Sequence, residues 1–519
     1  MRQFFITAFF TVTTQLLYGQ NDSTQLVRFD ELTFNSASEK QYYEELYNDK
    51  PAYFELLASI DSTTTNKDIS AYSQRLYFAL DEFNNTKWQN KKPEKKIKTI
   101  YEKIHTIFFD QYSLENNFSD VFTSGKYNCV SATGVYALAL DKLNIPYVIK
   151  EEPTHVYLIA YPNSERIIVE ATNPAAGYTQ FNEAFKKDFV NRLTKAKIIG
   201  SLEAQQSNIN QLFDKYYFTK NNIQLKELVA LQYYNDGLYK MEGEQYELAF
   251  TQLEKSYLLY ENERIGYLLY MNGASFLRTL PIEDLRYAPM VLRIARFKDY
   301  GVKNEQIIAE YQQLANLYLF KNGDVAKNDK LYNDFKKVSP DSSYQNTISY
   351  LYNFEAGRYN YTKGKYAQAL EYLAIAYNIK PNDAQAQSIL VSAIAQQASR
   401  LNNIEKTYAF LDQYGASYPN LIENDNFKIM LANVKLEMAS FYYYTNKAKQ
   451  AELYLAKFEA LSMDDIKTLN ENSISKAYVS AAMYYYRKGA VSSAQKHVGR
   501  GLQILPNDFN LTRLKQMMR

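Results

Sequence analysis

The chain of 519 residues is poor in the residues that most often carry chemistry or covalent cross-links. It has a single cysteine, Cys129, so no internal disulfide can form in any redox compartment. It has three histidines, too few with one cysteine for a metal cage, and no His-Glu-x-x-His pattern. No phosphate-binding Gly-x-x-x-x-Gly-Lys loop or dinucleotide fingerprint occurs, so neither cofactor nor metal is expected. Neither charge sign is in excess: the net charge is +2, which leaves no footprint for a polyanion and argues against nucleic-acid binding. Glycine (17) and proline (12) are scarce, about half their usual share, which points to long helices with short connections. After the first 19 residues no stretch is apolar enough to cross a bilayer.

What is plentiful is tyrosine, 49 residues against one tryptophan, read here mainly as packing between helices. The N-terminus reads as an export signal: Arg2, then an apolar run from Phe4 to Leu17, then Gly19 as the small residue before a cut. The expected mature chain begins near Gln20 and is periplasmic or extracellular. No cysteine lies near the cut, so no lipid is attached there. The basic run Lys91–Lys98 contains Pro93, suited to a first helical turn, and leads into apolar residues at helical spacing. It is read as a solvated helix start. Helices are expected near 37–59, 68–84 and 93–110.

Residues 116–177 differ in character. Gly125-Lys126-Tyr127-Asn128-Cys129-Val130-Ser131 followed by Val135–Leu140 and Asn144-Ile145-Pro146 reads as a loop and then a helix that begins near Cys129. There the helix dipole and unpaired N–H groups favour a thiolate and can hold an oxyanion. Strands are expected over 147–150, 153–161 and 166–170, with a turn at 162–165. If Asn163-Ser164 form the turn, paired positions sum to 327: His155 faces Thr172 and Glu170 is its diagonal neighbour. If Pro162-Asn163 form it, the sum is 325 and His155 faces Glu170 directly. Either register brings imidazole and carboxylate within reach, whereas Asn173 has the opposite parity.

A cysteine opening a helix, a histidine starting a strand and an acid ending the next resemble the transglutaminase-like superfamily, whose chemistry papain-like thiol enzymes share. The phrases YNCVSATGVYALALDKLNIPY, PTHVYLIA and IIVEATNPAAG carry that resemblance over about 60 residues. It implies an α+β N-terminal domain with Cys129 as nucleophile, His155 as base and Glu170 as the orienting acid. The family usually has aspartate at the last position. The implied activity is thiol-dependent acyl transfer on amide bonds of a protein or peptide, by hydrolysis or transamidation. Asn116, Asn117 and Asn128 are candidate oxyanion donors beside the Cys129 N–H. His105 and His497 are read as structural or surface residues.

From about 206 the chain reads as helical and repetitive. Gly357, Ala369, Leu373, Ala376 and Pro381 stand at the packing offsets of a tetratricopeptide repeat, as do Ala482, Ala494, Val498, Gly501 and Pro506. Gly237, Ala249, Leu253 and Ser256 match without the proline, and Ala439, Ala451 and Leu455 match with bulky Phe458 at a small position. The segments 262–345 and 384–420 read as degenerate helical pairs. The resemblance implies an all-α solenoid whose concave face binds a protein or peptide. The expected organisation is a signal over 1–19, helices plus the transglutaminase-like domain over 20–205, and repeats over 206–519. The alternative is a catalytically silent fold that serves as a scaffold.

Overall fold

The computed structural model describes residues 25–172, 177–218, 221–462 and 466–518. The expected export signal, with its cut at Gly19, lies outside them, and so does Asn173. The chain divides into two compact units, one running to Lys303 and one starting at Asn304. Among the described residues no helix is long and apolar enough to cross a membrane.

The first unit opens with helices α1 (Ala37–Tyr47), α2 (Tyr53–Ser59), α3 (Asn66–Leu80), α4 (Thr86–Gln89) and α5 (Pro93–Phe108). The continuous helix expected over 37–59 is broken, because Asp49 takes a left-handed φ of 58° and Pro51 follows. Pro93 occupies the first turn of α5. A short parallel ladder, β1 (Gln111–Tyr112) with β2 (Lys126–Tyr127), flanks α6 (Asp120–Thr123) and leads into α7 (Cys129–Lys142). Five antiparallel strands follow in the order β6 (Tyr178–Gln180), β5 (Ile167–Val169), β4 (His155–Ala160), β3 (Tyr147–Glu152), β7 (Asn222–Ile223). Strands β6 and β7 were not expected; segments of two or three residues carry no periodicity to read.

The sheet is covered on both sides. Val156, Leu158 and Ala160 join the core built around Val135, Tyr136 and Ala139 of α7, and Thr133 Oγ1 donates to the Val156 carbonyl at 3.2 Å. Tyr157 and Ile159 alternate with them and pack with Val190, Leu212, Phe213 and Tyr217.

This unit continues past the expected boundary at residue 205. The helix Leu225–Glu242 places Leu225, Leu228 and Val229 in the same core as α2 and α7. Its partner helix Tyr246–Leu259 carries Lys255, whose ammonium meets Glu39 of α1 at 2.6 Å with both side chains fully buried. Tyr233 donates to the same carboxylate at 2.9 Å, and Tyr43 donates to the Lys255 carbonyl at 2.7 Å. The first repeat-like pair is therefore built into the N-terminal unit through buried polar bonds. Spacing along the repeats holds no sign of this.

In the second unit, helices pair across short links: Ser342–Thr362 with Tyr366–Ile379, Ala384–Ser399 with Ile404–Ser417, Asp425–Tyr444 with Ala448–Glu459, and Glu471–Arg487 with Val491–Ile504. The small positions are small because the helices touch. A Cβ built on Gly357 would lie 2.6 Å from Leu373 Cγ, and one on Gly237 in the first unit would lie 2.8 Å from Leu253 Cγ. Ala369, Ala482 and Ala494 are fully buried. Phe458 is fully buried as well and packs with Leu455, Ile474 and Tyr478. Three of these four links hold a left-handed residue, at Gly364, Asn446 and Gly489, and so does the link in the first unit, at Glu244. This conformation suits glycine and asparagine and is unfavourable for Glu244. The described residues are thus mostly helical, with repeat-like helical pairs in both units, a small antiparallel sheet and a short parallel ladder.

Candidate active site

Asn128 fixes the start of α7. Its Oδ1 accepts from the N–H groups of Val130 (3.0 Å) and Ser131 (2.9 Å), and Ser131 Oγ accepts from the Asn128 N–H at 3.0 Å. This capping box leaves Cys129 at the first helical position, half-buried, with its thiol free of any disulfide. The Cys129 N–H has no acceptor within the helix at that position.

His155 is the first residue of β4, opposite Glu152 of β3 across a tight turn. The β4–β5 register pairs Leu158 with Val169 and Ala160 with Ile167, so paired positions sum to 327. Of the two registers open to the sequence, this is the one that sets Glu170 diagonal to His155. His155 Nε2 lies 2.6 Å from Glu170 Oε2. With Nε2 engaged, Nδ1 is the ring nitrogen left to face Cys129. The Cys129 side chain and the hydrogen bond to Glu170 raise the imidazole pKa to about 10, against the opposing effect of burial. Burial pushes the Glu170 carboxyl up, but hydrogen bonds from His155 and Thr172 outweigh it and hold the pKa below its ordinary value. Glu170 Oε1 accepts from Thr172 N–H at 2.9 Å and from Thr172 Oγ1 at 2.6 Å. Tyr101 of α5 donates to the Glu170 carbonyl at 3.1 Å.

The structure thus brings Cys129, His155 and Glu170 together. It also decides among the asparagines. Asn128 is consumed by its cap and by donation from Nδ2 to the Leu114 carbonyl at 3.1 Å. Asn116 Nδ2 donates to the Lys126 carbonyl at 2.8 Å and approaches Asp120 at 3.5 Å. The Asn117 N–H donates to Asp120 at 2.8 Å. The Cys129 N–H, at the first helical position, and the Asn117 side-chain amide remain as candidate donors. His105 stacks on Tyr101 with ring centroids 5.6 Å apart, and His497 pairs with Glu452 at 2.8 Å; both are far from this chemistry in role.

Two residues that sequence reading missed complete the surroundings. Tyr239, from the helix Leu225–Glu242, donates to the Leu114 carbonyl, which Asn128 also uses. Its phenol pKa is pushed up to about 12 by burial and by the charge of Cys129. Tyr112, exposed on β1, is raised by burial and then by Cys129 and Glu170. No local motif marks either residue, because the fold brings them to the thiol from other elements. A polar groove of about 770 Å³, lined by Glu115, Asn116, Lys126, Asp236, Tyr239 and Lys240 among others, contains none of the three central residues. Tyr239 lines this groove and donates to the Leu114 carbonyl that Asn128 also uses. Among the described residues no cluster of three histidine, cysteine or acidic side chains is arranged to hold a metal ion.

No family model matches the chain, and no curated protein matches it significantly. Solved structures of low identity align with it. One is a structure of Naa15/Naa10 bound to HypK-THB (12% identity, 65% of this chain and 67% of that one, TM-score 0.17). Another is the human IFIT1 dimer with m7Gppp-AAAA (13% identity, 85% and 95%, TM-score 0.17). A third is the APC/C hetero-tetramer Cut9-Hcn1 (12% identity, 92% and 85%, TM-score 0.18). At such TM-scores the likeness bears on neither the site nor its chemistry.

Proposed function

We propose that this helical-repeat protein carries a transglutaminase-like thiol centre that performs acyl transfer on amide bonds of a protein or peptide. The observation that carries the reading is the His155–Glu170 pair, 2.6 Å apart, on an imidazole whose pKa Cys129 also raises. In the proposed reaction the Cys129 thiolate, its proton held by His155, attacks the carbonyl carbon and forms a C–S bond. The carbonyl oxygen becomes an oxyanion facing the Cys129 N–H. The C–N bond then breaks as His155 returns the proton to the leaving amine. Water, or a second amine, attacks the thioester, His155 takes its proton, and the thiol is regenerated. Glu170 holds the imidazole tautomer and stabilises the imidazolium. In this reading the chain is exported, and the helical pairs recruit the protein or peptide partner.

A second reading is a silent scaffold. It is favoured by how much of the chain is paired helix, and by a second unit with no cysteine. Acylation by a peptide thioester or activated ester, followed by intact mass, separates the two. The enzyme reading expects one acyl group on Cys129, none in Cys129→Ala, and formation about 100-fold slower in His155→Ala. Wild-type protein that takes up no acyl group supports the scaffold.

A further inference from the structure

The acid of the relay carries one methylene more than the family's usual aspartate, and its carboxylate needs an anchor to point at the imidazole. Glu170 is half-buried, and each oxygen has a distinct task. Oε2 meets His155 Nε2 at 2.6 Å. Oε1 is held twice by one residue, by the Thr172 N–H at 2.9 Å and by Thr172 Oγ1 at 2.6 Å. The register places Thr172 in line with His155, two residues beyond Glu170, where the chain leaves β5. The Glu170 backbone is pinned separately: its carbonyl by Tyr101 at 3.1 Å and its N–H to the Gly177 carbonyl at 2.7 Å. What remains free to rotate is the side chain, and Thr172 is what stops it.

We propose that Thr172 is a positioning residue of the thiol centre: its hydroxyl and N–H clamp Glu170 Oε1 so that Oε2 stays on His155. This rests on the reading under "Proposed function". Two bonds to one oxygen fix the carboxylate plane, and charge-assisted bonds of this length are the stronger kind. Valine keeps the shape of threonine without the hydroxyl, serine keeps the hydroxyl, and alanine keeps only the backbone donor.

The test uses the full chain with ring-labelled histidine. With only three histidines, the His155 signal is assigned by its loss in His155→Gln. Two quantities are followed: the His155 titration midpoint by NMR, and the rate of Cys129 alkylation by iodoacetamide at pH 7. Thr172→Val is expected to lower the midpoint by about one unit, because a carboxylate that swings away no longer stabilises the imidazolium. The alkylation rate is expected to fall about 10-fold, with Thr172→Ser within about 2-fold of wild type. The fluorescence of Trp88, the single tryptophan, buried in the same unit, reports whether each variant is folded. If Thr172→Val does not fold, Thr172→Ala, which also lacks the hydroxyl and keeps the backbone donor, takes its place, with a similar loss expected. An unchanged midpoint and rate in Thr172→Val, or in Thr172→Ala where it stands in, overturn the proposal; so does a loss that serine fails to rescue. A wild-type midpoint near the ordinary imidazole value of about 6.5 overturns the triad reading itself, which is a different failure.

Discussion

Replacing Lys255 by methionine should unfold the first unit far more readily than its place in a repeat-like helix suggests. The ammonium and the Glu39 carboxylate are both fully buried and 2.6 Å apart. Glu39 also accepts from Tyr233 at 2.9 Å and from the Asn35 N–H at 2.6 Å. Burial lowers the Lys255 pKa in spite of Glu39, so the pair is no large net source of stability. The asymmetry lies in breaking it. Removal of one partner leaves a carboxylate uncompensated in the interior, at a cost of about 3–5 kcal/mol. Lys255→Met combined with Glu39→Gln removes the orphan charge and keeps one acceptor oxygen, for the Asn35 N–H, while the new amide N–H can donate to the Tyr233 hydroxyl, and should recover more than half of that loss. Urea unfolding followed by Trp88 fluorescence reads the first unit selectively, because Trp88 is the only tryptophan and is buried there. A loss below about 1 kcal/mol in Lys255→Met, or a double variant no more stable than the single one, would refute the reasoning and the assignment of this helical pair to the first unit.

Other outcomes follow from the same structure. His155 has a folded pKa of about 10, above the unfolded value of about 6.5, so its contribution to stability is fully present below about pH 6.5 and is lost as pH rises through about 10. Urea midpoints should therefore fall across that window, and the fall should be shallower in His155→Gln; equal slopes would contradict the raised pKa. Ala369 is fully buried, so Ala369→Arg should cost the second unit about 3 kcal/mol or more through overpacking and a buried charge. Partner binding should be lost while Cys129 alkylation stays within about 2-fold, since damage in repeats remains local; a collapse of thiol reactivity with Trp88 still buried would argue against independent roles. N-terminal sequencing of protein from the native host should find a chain beginning near Gln20, and recovery of intact Met1 would exclude export by this signal.

The placement of His155 and Glu170 was largely legible because it is local. A helix start, a strand start and the end of a hairpin partner follow from capping chemistry and a period of two, and parity alone put His155 and Glu170 on one face. The residues around the hairpin turn fit either register, and pairing of Leu158 with Val169 selects the diagonal arrangement. Thr172 entered the sequence reading as the partner opposite His155 in that register, but its bonds to Glu170 arise where the strand stops being regular, and strand parity says nothing there. Tyr239 and the buried Lys255–Glu39 pair depend on how the helices at 225–259 dock against α1 and α7. Repeat spacing encodes contact within a helical pair, as Gly237 against Leu253 shows. It does not encode which neighbour the pair adopts, and the first compact unit runs on to Lys303.

The central claim is that His155 activates Cys129. The most direct measurement is the rate constant for iodoacetamide alkylation of Cys129 at pH 7, in the folded full chain, for wild type and His155→Ala, with Cys129→Ala as the blank. The account predicts a rate at least about 10-fold lower in His155→Ala, with unchanged Trp88 fluorescence. Equal rates in the two folded proteins would contradict it.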